Sequence, residues 1–180
     1  MEILPVLKTG KLIVLYSRHA ACEESMTLIA ALGLRSPVTI LDGGNRYKPY
    51  QVATLIRRKT VEVRTIANRI FSRRAFTCYE MNTLLETTPS LSHPCVILDL
   101  LNAFYDDHVP VHETDRLLKS CLGQIHRLRL SAPVVVTLAP PRAEDRAFLI
   151  EQVCEAADEL FIPKADLSPL PSQLSLFSLT

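Results

Sequence analysis

Residues 11–27 have the sequence context of a phosphate-binding loop but lack the residues that such a loop uses. An apolar run, Leu12–Tyr16, precedes a short polar stretch and then an apolar helical pattern, which is the strand–loop–helix arrangement of these loops. A working loop needs glycines, whose backbone can wrap phosphates, and a lysine that meets their charge. Between Gly10 and Gly33 there is no glycine, and the only lysine is Lys11. We therefore expect no phosphate cradle in this segment.

Glutamates take the place of the missing lysine. Counting from Tyr16 puts Glu23 at the lysine position, whereas matching Ser25 to the hydroxyl residue of the motif puts Glu24 there. In either register a carboxylate would face the triphosphate of a bound nucleotide. The Coulomb repulsion between these negative groups is costly in a partly enclosed site. We assign Glu23, Glu24 and Ser25, together with Arg18 of the polar stretch, to a degenerate nucleotide site.

Further stretches resemble the core of the RecA/archaeal–eukaryotic recombinase family, in order and at the right separations; they read VTILDGGNRYKPYQVATLIRR, RIFSRRAFTCYEMNTLLE, CVILDLLNAFYDD and APVVVTLAPP. Asp42, Tyr47 and Pro49 match the family's aspartate, aromatic residue and proline after its second core strand. Asp99 matches the metal-side aspartate of the Walker B strand. The resemblance, over about residues 11–161, implies an α/β protein with a three-layer RecA-like fold: a mostly parallel central sheet with helices on both faces.

The departures from the family pattern imply a pseudo-ATPase. The family's catalytic glutamate falls at Gly44, its γ-phosphate-sensing glutamine falls near Pro140, and its long DNA-contacting loop is reduced to about PPRAED. Of these family positions only Asp99 is retained. One carboxylate without phosphates is a poor magnesium site, so we expect backbone or hydroxyl groups to form hydrogen bonds with the Asp99 carboxylate. We predict no catalytic residue, cofactor or metal. The alternative is an ATPase or DNA-binding recombinase paralogue that completes its site with a neighbouring subunit.

A basic segment between residues 57 and 74 is the candidate surface for phosphates. Its seven cations stand against the single acid Glu62, although across the whole chain twenty basic and nineteen acidic residues nearly cancel. A basic face of this kind can bind nucleic acid, but few aromatic residues are interleaved with it, so a solvated helix face is the favoured interpretation. The candidate nucleic-acid contacts are Arg57, Arg58, Arg64, Arg73 and Arg74.

Two histidines, His108 and His112, lie among acidic residues between Tyr105 and Asp115. These residue types can bind zinc or manganese. The intervening sequence Val-Pro-Val argues against a helical face that carries both histidines, so an exposed loop is the favoured prediction.

Alternating apolar runs and helical patterns predict one domain over residues 1–162. Because the buried strands are continuously apolar, they fit a parallel sheet covered on both faces. No apolar run reaches the length of a membrane span, and the first residues lack the features of a signal peptide, so we expect a cytoplasmic location and no membrane partner. Strands are predicted at Leu12–Tyr16, Val38–Leu41, Arg69–Ser72, Cys95–Leu101, Pro133–Ala139 and Glu159–Ile162.

Residues 163–180 predict a flexible Pro/Ser-rich tail. Within it, Gln173, Leu174, Ser175, Leu176 and Phe177 resemble closely the pentapeptide by which bacterial polymerases and repair proteins bind the replication sliding clamp. An amide at the pocket rim and two apolar anchors suit that interaction. The alternative is that these side chains fold back onto the domain.

The two resemblances together imply an accessory protein of bacterial DNA replication or repair. The RecA-like part is similar to recombinase paralogues and to the degenerate RecA-like accessory proteins of bacterial mutagenic repair. Besides the sliding clamp, the partners that this implies are a RecA-type recombinase, a repair polymerase or a second copy of the chain. Direct DNA contact stays open.

Overall fold

The computed structural model describes residues 7–141 and 144–162. Strands and helices alternate along most of this part of the chain, as the sequence predicts. The strands are β1 (Leu12–Tyr16), β2 (Val38–Asp42), β3 (Ile70–Arg74), β4 (Cys95–Leu98), β5 (Val134–Leu138) and β6 (Glu159–Phe161). The helices are α1 (Cys22–Gly33), α2 (Pro49–Arg57), α3 (Val63–Ala67), α4 (Cys78–Thr87), α5 (Val111–Arg129) and α6 (Phe148–Glu155), and short 3₁₀ helices cover Asn102–Tyr105 and Glu144–Arg146.

The six strands form one sheet in the order β3-β2-β4-β5-β1-β6. All five pairings between neighbouring strands are parallel. Strand β4, which Asp99 directly follows, lies inside the sheet between β2 and β5. Because parallel strands require crossover connections, the helices that link them cover the sheet.

Two apolar cores lie on opposite faces of the sheet. Alternate residues of β1 divide between them, since successive side chains of a strand point to opposite faces. Leu12, Val14 and Tyr16 pack in the core that includes residues of α4, α5 and α6. Ile13 and Leu15 pack in the core that includes residues of α1 and α2. The predicted three-layer α/β fold with a parallel sheet is thereby confirmed.

The predicted strand boundaries need small corrections, and one predicted loop is wrong in part. The strand predicted to reach Leu101 ends at Leu98, because Asp99 adopts a left-handed backbone conformation with φ of 49° that cannot continue a strand. The predicted exposed loop between Tyr105 and Asp115 is shorter than expected. Pro110 precedes the first residue of α5, where a fixed φ suits a helix start, so His112 lies on the helix.

No helix in the described ranges combines the length and apolar character that a membrane crossing requires. The longest, α5, has 19 residues but carries charged residues along its exposed face.

Candidate functional site

The carboxyl ends of the strands surround a cavity of about 880 Å³. Segments that follow five strands, β1 to β5, contribute to its wall, as is usual for binding sites on parallel α/β sheets. The lining residues are Arg18, His19, Arg46, Phe76, Asp99, Asn102, Ala103, Tyr105, Asp106, Asp107, His108, Ala139, Pro140, Pro141 and Arg146. The cavity is therefore polar, with charges of both signs.

The turn after β1 uses its own backbone amides internally. The amide of Ala20 donates to the Ser17 carbonyl at 3.1 Å, and that of Cys22 donates to the His19 carbonyl at 3.2 Å. The amide of Ala21 donates to the Ser17 hydroxyl. Ala20 and Ala21 both adopt left-handed φ values, 51° and 48°, where non-glycine residues are uncommon. Amides engaged in this way are not directed at a phosphate.

The residues predicted for a degenerate nucleotide site are only partly brought together. Arg18 and Asp99 line the cavity. Glu23 is exposed and Glu24 half-buried on the first turn of α1, and neither belongs to the cavity wall that the described residues form. Ser25 is buried, and its hydroxyl donates to the Ala21 carbonyl at 2.6 Å, so it secures the helix start.

Asp99 forms an ion pair with an arginine that the sequence reasoning missed. The Arg46 Nε donates to Asp99 Oδ2 at 2.7 Å, and the aspartate side chain is 1 % exposed against 34 % for the arginine. We expected backbone or hydroxyl groups as partners of this carboxylate; the main partner is a guanidinium instead. Asp99 Oδ1 is buried and has no hydrogen-bond partner within residues 7–141 and 144–162. Burial raises the pKa of Asp99 above its ordinary value, and the Arg46 guanidinium opposes that rise.

The backbone at Gly43 and Gly44 packs directly on Asp99. A Cβ atom on Gly44 would lie 2.5 Å from both Asp99 Cβ and Oδ2. One on Gly43 would lie 2.6 Å from the Met81 methyl and 3.0 Å from the Asp99 carbonyl oxygen. Such distances leave no space for a side chain. The position at which the resembling family has its glutamate is therefore filled by the Asp99 carboxyl.

Asp42 holds the loop that delivers Arg46. Its carboxylate accepts the backbone amides of Arg46 at 2.9 Å and Tyr47 at 3.1 Å. It also pairs with the Arg74 guanidinium at 3.3 Å. Asp42 is almost fully buried, so these donors satisfy a carboxylate that would otherwise be costly to bury. Asp42 and Asp99, at the ends of neighbouring strands, thus anchor one network with two arginines.

Arg146, which also lines the cavity, binds the segment that follows β4. It is 3 % exposed. Its guanidinium donates to the carbonyl oxygens of Phe104 and Val109, each at 2.7 Å, and its Nε has no partner in the described part of the chain. Carbonyl oxygens carry no net charge, so Arg146 keeps its positive charge and acts on nearby carboxylates. The pKa of Asp106 is lowered first by hydrogen bonds from His108 and also by the charge of Arg146.

All five candidate nucleic-acid contacts are exposed, and two of them also bind a side chain of the domain. Arg57, Arg58 and Arg64 are exposed, and none of them belongs to an ion pair within the described ranges. Arg73 donates to the Thr87 hydroxyl at 3.3 Å. Arg74 pairs with Asp42, so it belongs to the network at the strand ends as well as to the basic surface.

His108 and His112 are the two histidines for which zinc or manganese binding was considered from the sequence. His108 pairs with Asp106 at 2.9 Å on the exposed surface. Among the described residues no group of three histidine, cysteine or acidic side chains has the arrangement of a metal site.

One sequence signal could have pointed to Arg46. The Gly-Gly-Asn-Arg run after β2 indicates a tight loop near the strand ends, but nothing in it identifies Asp99 as the partner of Arg46. The clamp-binding-like residues Gln173–Phe177 lie outside the described residues. No protein-family model matches this chain, and no curated protein matches it.

Proposed function

We propose that this chain is a RecA-like accessory protein that does not hydrolyse ATP. It works in DNA repair, recombination or replication through protein contacts, in the cytoplasm, and is tethered to the sliding clamp by its tail. The observation that carries the proposal is the Arg46–Asp99 ion pair at 2.7 Å. The guanidinium takes up one oxygen of the carboxylate at the position that matches the family's metal-side aspartate.

Two further features support the loss of ATP chemistry. The amides of the turn after β1 are engaged with Ser17 and His19, so they do not form the anion-binding concavity of a phosphate loop. Gly44 has no room for a side chain beside Asp99, so the water-orienting carboxylate of an ATPase has no place there.

Isothermal titration calorimetry with Mg·ATP tests this part of the proposal. We expect no heat of binding with millimolar nucleotide. Micromolar affinity, together with turnover that Asp99→Asn abolishes, would contradict it and would favour an ATPase that borrows groups from a neighbouring subunit. Size-exclusion chromatography with and without nucleotide checks the same point, because only that alternative requires nucleotide-dependent assembly.

The pentapeptide at Gln173–Phe177 supports clamp tethering. Leu176 and Phe177 would serve as apolar anchors, the small cluster that carries most of the energy of an interface. Because ordering a short segment costs conformational entropy, we expect micromolar affinity.

Surface plasmon resonance on an immobilised bacterial sliding clamp measures this contact. The unmodified chain should bind, and Leu176→Ala with Phe177→Ala should reduce the affinity at least about tenfold. The matched control is Leu167→Ala with Leu170→Ala, which removes the same kind of side chain outside the pentapeptide. Equal affinity of all three proteins, or no binding by the unmodified chain, would refute the tether.

A further inference from the structure

Two buried side chains in the wall of the cavity each have a polar atom without a hydrogen-bond partner. Asp99 is fully buried, and its Oδ1 accepts no hydrogen bond from the described residues. Arg146 is almost fully buried, and its Nε donates none within the same ranges. Both residues line the cavity at the strand ends. Because buried polar atoms nearly always have a partner, this acceptor and this donor indicate a ligand that can both donate and accept hydrogen bonds.

The charges of the cavity wall balance one another. Three guanidinium groups and three carboxylates belong to it: Arg18, Arg46 and Arg146, and Asp99, Asp106 and Asp107. Asp99 already pairs with Arg46 at 2.7 Å. Asp106 already pairs with His108 at 2.9 Å. A polyanion would meet the carboxylates and a polycation would meet the guanidinium groups, so the balance favours a ligand without net charge.

An aromatic face and a side-chain amide complete the wall. Phe76 is 71 % exposed and lines the cavity, so its ring is open to a ligand. The Tyr105 hydroxyl donates to the Ala139 carbonyl at 2.8 Å, which fixes a second ring in the wall. Asn102 is exposed there, and its amide can donate as well as accept. The electron-rich face of an aromatic ring suits the C–H bonds of a sugar ring.

From this geometry we infer that the cavity binds an uncharged, polyhydroxylated ligand of the size of a monosaccharide. One hydroxyl group donates to Asp99 Oδ1, another accepts from Arg146 Nε, and the C–H face of the ring packs on Phe76. A hydroxyl suits both positions because it is a donor and an acceptor at once. The cavity of about 880 Å³ lies in the range of about 300–1,000 Å³ that is usual for small-molecule pockets. The inference goes beyond the proposed function by adding a ligand at the strand ends.

Saturation-transfer difference NMR on the full chain tests binding, with D-glucose, D-galactose and D-mannose as the probes. At least one of the three sugars should bind with millimolar affinity, as expected for a small polar ligand. For each sugar that binds, the corresponding uronate and the corresponding amino sugar should bind at least about fivefold more weakly. These measurements use the unmodified protein, so they do not depend on the folding of a variant.

The same experiment can overturn the inference in two ways. The first is that none of the three sugars binds; adenosine that binds in their place would assign the cavity to a nucleoside base. The second is that a uronate or an amino sugar binds more tightly than its neutral parent, which would assign the cavity to a charged ligand.

Two-dimensional ¹H–¹⁵N NMR locates the bound sugar. Titration should shift the backbone amide signals of Asn102 and Ala139, which line the cavity. The signal of Gly123 on α5, which is not part of that wall, should stay in place. Shifts confined to residues away from the strand ends would refute a site in this cavity.

Phe76→Ala tests the aromatic face of the site. Because the ring is largely exposed, its removal should leave the fold intact and weaken sugar binding about fivefold. The matched control is Phe71→Ala, which removes another exposed phenylalanine, from β3 and outside the cavity wall; it should change the affinity by less than about twofold. Equal effects of the two substitutions would contradict the inference. The titrations with Mg·ATP and with the clamp are separate measurements, and their failure would not affect this site.

Discussion

Removing Arg46 should destabilise the domain because it leaves a buried carboxylate without its charged donor. Arg46→Met keeps much of the side-chain length and removes the bond to Asp99 Oδ2, which is 2.7 Å long. Breaking a buried ion pair costs about 3–5 kcal/mol. Arg46 is 34 % exposed, and solvent screens part of the interaction. We therefore expect a loss of about 2 kcal/mol in the free energy of unfolding near pH 7.

The pH dependence distinguishes this cause from lost packing. In the unmodified chain, burial already raises the folded-state pKa of Asp99 above 3.8 despite Arg46. A raised pKa means that the folded state binds a proton more readily, so stability falls as pH rises from 3.8 through the folded-state value. Arg46→Met removes the opposing charge and raises the pKa of Asp99 further, so the defect should be larger near pH 7 than near pH 5.

Urea unfolding followed by circular dichroism at both pH values measures these effects. The double variant Arg46→Met, Asp99→Asn should recover most of the loss, because the neutral amide has no buried charge to compensate. A defect of equal size at both pH values, or a double variant no more stable than Arg46→Met, would refute the electrostatic explanation and reduce Arg46 to a packing residue.

The remaining predictions concern neighbouring positions. Gly44→Ala should lower the free energy of unfolding by about 1–3 kcal/mol, because its Cβ overlaps the Asp99 carboxyl. Gly123→Ala on α5, where a Cβ would have nothing within 4 Å, should raise it by up to about 1 kcal/mol. Urea unfolding midpoints measure both changes. Asp99→Asn alone should flatten the fall in stability above pH 3.8, and an unchanged pH profile would contradict the raised pKa. Arg146→Met should release the carbonyls of Phe104 and Val109; hydrogen exchange should then accelerate over residues 104–110, while exchange in β2 stays as it was.

Much of the fold was predictable because its signals are local. Continuous apolar runs such as the one in β5 can be recognised without knowing what packs on them, and Pro49 marks a helix start. Pro110 also precedes a helix, but the sequence analysis interpreted it as part of a loop. Boundaries were less predictable where the backbone departs from its usual conformations. The residue types around Asp99 do not predict its φ of 49°. A left-handed non-glycine residue depends on tertiary contacts, here including the backbone of Gly43 and Gly44.

The candidate site was predictable only in its location. The resemblance to the recombinase family predicted one site for Arg18 and Asp99, and both residues line the cavity at the strand ends. The partners of Asp99 were not predictable, since Arg46 lies 53 positions away and is one of many arginines in that half of the chain. The assignment of Glu23 and Glu24 to a phosphate position stays a prediction, although neither residue is among those that line the cavity. Helix α1 begins at Cys22, and Glu23 is exposed on its first turn.

The altered positions around Asp99 depend on one another. Gly44 is small because the Asp99 carboxyl fills the space beside it. Asp99 is held there by Arg46, and Arg46 is placed by a loop whose amides Asp42 binds. Under the proposed function, introducing one ATPase residue alone would not give an ATPase. A glutamate at Gly44 would collide with Asp99, and freeing Asp99 from Arg46 would leave one carboxylate, which without phosphates is a poor magnesium site. Under the proposed function, contacts that depend on one another in this way would account for the departures from the family pattern occurring together.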